Sequence, residues 1–178
     1  MREHPPPPMA QHLRRYAPQI ALPPYRFLPG ITPHPRRDPR GHSFVRAEPI
    51  VPYFPAPQWR RNQAYLFGAD CYNFGFWWEA HETWEWVWRA SARDAIQHDF
   101  VKGLIQAAGA LLKRHVSQGK MGPSLAAAAV KVLRQVAGAT GGVYMGLDLG
   151  AWLPRFERFF ASSGGAAELH ELVLRLTD

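Results

Sequence analysis

The heptapeptide EAHETWE, residues 79–85, places three carboxylates and one imidazole within seven positions. On a helix turning about 100° per residue, His81 and Glu85 fall one turn apart and can reach the same ion. Glu82 stands beside them as a general base or as a group orienting the ligands. The arrangement is HExxE, one imidazole short of the HExxH of helical zinc hydrolases. His42, His98 and His115 are the imidazoles that folding has available to complete it. A divalent metal is the cofactor these residue types suit, with His81 and Glu85 as ligands and His81 and Glu82 as the catalytic acid–base pair. Hydrolysis is the chemistry such a set would perform, and a harder ion such as manganese or iron would accept the surplus of carboxylate.

The same residues also have a purely structural reading. On the following helix Lys102, Gln106 and Lys113 share a stripe, and with Arg89 they offer partners for Glu79, Glu82 and Glu85. Glu79, Trp84, Lys102 and Gln106 then either line a ligand site at the junction of the two helices or close into a polar network. Buried charges beside several Trp side chains are costly unless every partner is in place. A bound ligand is one way of supplying partners, which keeps a site at this junction as an expectation.

These residues are positioned by a series of helices. From Pro57 onward apolar residues recur with a period of 3.6. WRRNQAYLFGADCYNF (59–74) reads as a first helix and FWWEAHETWEWVWRAS (76–91) as a second, with Trp77, Trp84 and Trp88 in one core stripe. Ser91 or Asp94 caps a third helix that runs to about His115 and buries Phe100, Leu104, Ala108 and Leu111. Gly119 and Gly122 end that stretch. A fourth, PSLAAAAVKVLRQVA (123–137), opens on Pro123 and buries Leu125, Ala129, Val132 and Val136. The glycines at 138, 141 and 142 open a loop, and LGAWLPRFERFF (149–160) and AAELHELVLRLT (166–177) read as two shorter amphipathic helices. The expected fold is all-α, a compact bundle of five to six helices over 58–178, preceded by a proline-rich basic arm over 1–57. Gly103 and Gly109 inside the third helix are expected to let a neighbour approach closely.

The sequence is also similar to a known family. YNFGFWWEAHETWEWVWR (72–89) resembles the signature of the domain of unknown function 309 family, an aromatic-Asn start followed by Glu-Ala-His-Glu, a spacer and Trp-Glu. FVKGLIQAAGALLK (100–113) looks like its second block, and YMGLDLGAW (144–152) like a later Gly-hydrophobic-Asp stretch. GKMGPSLA departs from the turn expected between them. The resemblance implies a helical fold and marks Glu79, His81, Glu82, Trp84, Glu85, Gly103 and Gln106, but it implies no activity.

Composition narrows the rest. Fifteen of the 17 prolines precede residue 58, so the arm cannot be regularly helical. LPPYRFLPGI (22–31) and IVPYFPAPQW (50–59) read as extended straps over the bundle, behind a disordered tail up to about Tyr16, and TPHPRRDPRGHSF between the straps reads as a polar loop. The net charge of +7 divides unevenly: 8 Lys/Arg against 3 Asp/Glu up to residue 57, then 13 against 11. A helical part at only +2 lacks the patch of a dedicated nucleic-acid reader, leaving the arm as the route to RNA or a protein partner. No apolar run spans a bilayer and no signal-like segment opens the chain, so a cytoplasmic location without membrane contact is expected. Cys71, the lone cysteine, reads as a core residue. A Trp-rich bundle is also compatible with a homo-oligomer.

Overall fold

The computed structural model describes residues 13–117, 121–162 and 166–177. The tail before Leu13 and Gly119 lie outside the described residues. A 3-10 turn, Ala56–Arg61, leads into α1 (Gln63–Asn73), which starts where the Asn62 side chain accepts from the Tyr65 amide at 3.0 Å. Gly75, with a φ of 78°, lets the chain reverse into α2 (Trp77–Ala90). Asp94 caps α3 (Ala95–Val116) by accepting from the Gln97 amide at 3.0 Å. Pro123 opens α4 (Pro123–Thr140), which ends on a left-handed Gly141. Each helix packs against the next in sequence.

The core lies between α1, α2, α3 and α4 and holds Tyr65, Tyr72, Trp77, Trp84, Phe100, Leu104, Leu111 and Leu133. A Cβ added at Gly103 would stand 2.4 Å from Leu133 Cγ, and one at Gly109 would stand 2.9 Å from Leu125 Cδ2. The expected close approach in α3 is therefore made against α4. Among the described residues, no helix is long and apolar enough to cross a membrane.

Two expectations are corrected past α4. The helix runs through Gly138 to Thr140, and the chain then forms a two-stranded hairpin, β1 (Val143–Tyr144) against β2 (Leu147–Asp148). Its turn residues, Met145 and Gly146, both have positive φ, as a two-residue hairpin requires. Asp148 then caps α5 (Leu149–Ala161), accepting from the Ala151 amide at 2.9 Å. The segment expected as a sixth α-helix is instead a 3-10 helix, Ala166–Leu172, followed by extended chain. Tertiary partners outcompete helical hydrogen bonds there. Trp152 Nε1 donates to the Leu172 carbonyl at 2.9 Å, Asn73 pairs with both backbone groups of Leu174 at 2.8 and 3.0 Å, and Leu176 bridges to Leu147.

The described part of the arm lies on the bundle. Asp70, buried in α1, accepts from the amides of Tyr16 and Ala17 at 2.7 and 2.9 Å. Tyr16, expected at the edge of a free tail, is thus docked. Arg26, Phe27 and Leu28 of the first strap are buried, whereas in the second strap Ile50 is fully exposed and the Tyr53 hydroxyl donates to Asp94 at 2.8 Å.

Candidate functional site

Helix α2 runs with one face in the core and the adjoining faces toward the arm and solvent. Trp77, Ala80, Trp84 and Val87 fill the core face, while His81, Glu82 and Glu85 are half-buried. His81 Nε2 lies 3.2 Å from Glu85 Oε1, as their one-turn spacing predicts. One donor atom from each of His81, Glu82 and Glu85 lies within 4.8 Å of the others. Burial, and next the neighbouring Glu85 charge, hold the Glu82 carboxyl above the usual carboxylate range, while His81 and Arg36 partly offset them.

The cations facing this cluster are one from the arm, Arg36, and one from α2, Arg89. Arg36 lies 3.6 Å from Glu82 and 3.0 Å from Glu48, and Glu48 in turn pairs with Arg89 of α2. Arg89 also lies 3.4 Å from Glu85. Lys102 is exposed on α3 and makes no ion pair or hydrogen bond among the described residues. Of the expected partners Arg89, Lys102 and Lys113, Arg89 pairs with Glu85, whereas Lys102 and Lys113 are turned to solvent and Arg36 of the arm takes their place at Glu82. Glu48 was not singled out by the sequence pattern, and Arg36 only as part of a polar loop.

Glu79 is the buried member of the set, with a side chain 4% exposed. Its Oε1 accepts from the Phe27 amide at 2.8 Å and faces His42 Nε2 at 3.2 Å. His42 Nδ1 lies 2.9 Å from Ser43 Oγ, so an imidazole carrying its proton on Nε2 donates to Glu79 and accepts from the serine. The other oxygen, Glu79 Oε2, has no hydrogen-bond partner among the described residues. The turn that delivers His42 depends on Gly41, where an added Cβ would stand 2.2 Å from the Pro35 carbonyl oxygen. His42 is thus the imidazole that the fold brings to the acids, although it meets Glu79 and not the His81 group.

Between this loop, the first strap and α2 lies a cavity of about 600 Å³. Leu22, Pro24, Trp78 and Trp86 give it apolar walls, with Glu79 and Glu82 along α2 and Arg36 and Arg46 from the arm. Two expected ligand-binding residues on α3, Lys102 and Gln106, do not line it, and the Gln106 Oε1 is buried without a hydrogen-bond partner. Trp84 is fully buried, its Nε1 donating to the Tyr65 carbonyl at 3.2 Å, so its side chain belongs to the core. Cys71 is buried, and burial above all pushes its thiol well up, which fits a core residue and not a nucleophile.

No curated protein and no solved structure matches the chain. A family model described as Domain of unknown function (DUF309) matches residues 65–121, which span most of α1, all of α2 and all of α3. The match includes the EAHETWE and FVKGLIQAAGALLK stretches and stops before the hairpin and α5. Residues 65–121, about a third of the chain, contain Glu79, His81, Glu82 and Glu85 and are similar to the domain of unknown function 309 family.

Proposed function

We propose that the protein binds a divalent metal ion at His81, Glu82 and Glu85 and uses it for hydrolytic chemistry. The observation that carries this reading is the convergence of one imidazole and two carboxylates within 4.8 Å on a half-exposed face of α2. A cation placed among them would replace the His81–Glu85 contact and relieve the like-charge crowding of Glu82 against Glu85. Three protein ligands leave coordination positions open for water, whose proton a divalent cation makes easier to remove. Glu82, whose second carboxylate oxygen stays free when the first binds the ion, is the group at hand to take that proton.

The test is metal analysis by mass spectrometry on wild type and His81→Ala, before and after chelation and re-addition of zinc or manganese. Near-stoichiometric metal that disappears in the variant supports the reading. Absence of metal in both, with no thermal shift on adding either ion, rejects it.

A second reading rests on a different observation: each of the three side chains already has an intramolecular partner, and Arg36 and Glu48 on the arm supply part of the network. In this reading the cluster is a clasp between arm and bundle, the protein is not an enzyme, and the basic arm recognises a protein or RNA partner. Arg36→Ala with Glu48→Ala distinguishes the two. A clasp loses thermal stability in that double variant and gains nothing from metal, whereas a metal site keeps its ion.

A further inference from the structure

The cavity between arm and α2 holds one buried acceptor that the described residues leave unmet, and one exposed cation not committed to any of them. At its α2 wall is Glu79, a carboxylate 4% exposed whose Oε2 has no hydrogen-bond partner among the described residues. A buried acceptor in this state is one that a donor from outside the chain would satisfy. On the arm side is Arg46, an exposed guanidinium that makes no side-chain ion pair or hydrogen bond among the described residues. The remaining charged groups of the cavity are committed: Arg36 to Glu48 and Glu82, and His42 to Glu79 Oε1. The lining also includes an apolar and aromatic set, Leu22, Pro23, Pro24, Trp78 and Trp86. Its volume of about 600 Å³ lies in the range of small-molecule pockets.

We propose that this cavity binds a zwitterionic amino compound with an apolar side group, its ammonium donating to Glu79 Oε2, its carboxylate meeting Arg46 and its side group packing against Trp78 and Trp86. An ammonium brings three donors to an acceptor that water reaches poorly. Arg46 presents a planar fork to a carboxylate. A ligand with only one of these ends would engage one of the two groups and leave the other to solvent or unpaired. The site is distinct from the proposed metal cluster, although Glu82 borders both, so the two ideas stand or fall separately.

The test is isothermal titration calorimetry on the full chain in the presence of a chelator, which removes any contribution from a metal. The zwitterionic probes are L-phenylalanine and the dipeptide L-phenylalanylglycine, whose carboxylate lies farther from its ammonium. Their single-ended counterparts are 2-phenylethylamine, which lacks the carboxylate, and 3-phenylpropanoate, which lacks the ammonium. At least one zwitterion is expected to bind tenfold or more tightly than either counterpart. Arg46→Ala, a change at an exposed position, is expected to reduce that zwitterion to the affinity of 2-phenylethylamine. Glu79→Gln, checked for folding by circular dichroism, is expected to reduce it to the affinity of 3-phenylpropanoate. The proposal is overturned if no zwitterion binds, if the counterparts bind as well, or if the affinity survives Arg46→Ala.

Discussion

Gly68 of α1 lies directly against the indole of Trp84 in α2: an added Cβ would stand 2.2 Å from Nε1 and 2.5 Å from Cδ1. The indole is fixed in place by its hydrogen bond to the Tyr65 carbonyl at 3.2 Å and by complete burial. Gly68→Ala must therefore move α1 away from α2 or break that bond. The expected cost is about 1–3 kcal/mol, typical of overpacking, read as a lower urea midpoint with an unchanged slope. A variant as stable as wild type would show that the two helices do not sit this close.

Two buried tyrosines should respond in opposite directions to loss of the hydroxyl. The Tyr65 hydroxyl donates to the Met145 carbonyl at 2.9 Å, whereas the Tyr72 hydroxyl is buried with no hydrogen-bond partner among the described residues. Tyr65→Phe is expected to destabilise by about 1 kcal/mol, and Tyr72→Phe to be neutral or stabilising by a similar amount. Thermal unfolding of both variants beside wild type checks the order.

Asp70 holds the arm where it meets α1. Besides the amides of Tyr16 and Ala17, it faces Arg15 Nε at 3.3 Å. Asp70→Ala leaves two amides without their acceptor, a loss of about 2–4 kcal/mol if the arm stays docked. If the arm instead peels away, trypsin should cut at Arg14 and Arg15 faster than in wild type. Unchanged stability together with unchanged proteolysis would contradict the anchoring.

The pH response of Glu82 follows from the direction of its shift. Its folded carboxyl titrates above the usual range, so the folded chain keeps the proton where the unfolded chain has already released it. Glu82 therefore favours folding as pH falls through its folded value and opposes folding above that value. Its contact with Arg36 is partly exposed and contributes little. Glu82→Gln is expected to be at least as stable as wild type near pH 7, with a difference within about 0.5 kcal/mol. Wild type should then gain on the variant as pH drops toward about 4. Urea titrations across that range read the crossing, and a wild type that loses ground as pH falls would refute the sign.

The helical part was legible because its signal is local. Trp77 and Trp84 recur at helical spacing, Asp94 precedes an apolar run as a cap, and both features place α2 and α3 within a few residues of where they lie. What escaped the reading depends on partners distant in sequence. Glu79 looks like an ordinary flank residue of α2, and its burial is imposed by Phe27 and His42, 52 and 37 residues away in a segment without periodicity. A clue did exist, since an acid beside Trp needs a partner and RRDPRGH holds both guanidinium and imidazole groups. The final segment misled for a related reason. From Leu174 to Thr177 burial alternates residue by residue, as in a strand, but this run of four is too short to outweigh the helical pattern before it.

Tyr16 ties the order of synthesis to the finished fold. Its hydroxyl donates to the Leu174 carbonyl and accepts from the Leu176 amide, partners 158 and 160 positions later. A ribosome delivers the arm long before it delivers those partners, so the tyrosine waits in solvent while the helices it will cover are being made. The latch closes only on chains translated as far as Leu176. A product released early lacks both bonds of the Tyr16 hydroxyl, and its arm is held only by earlier partners such as Asp70 and Glu79.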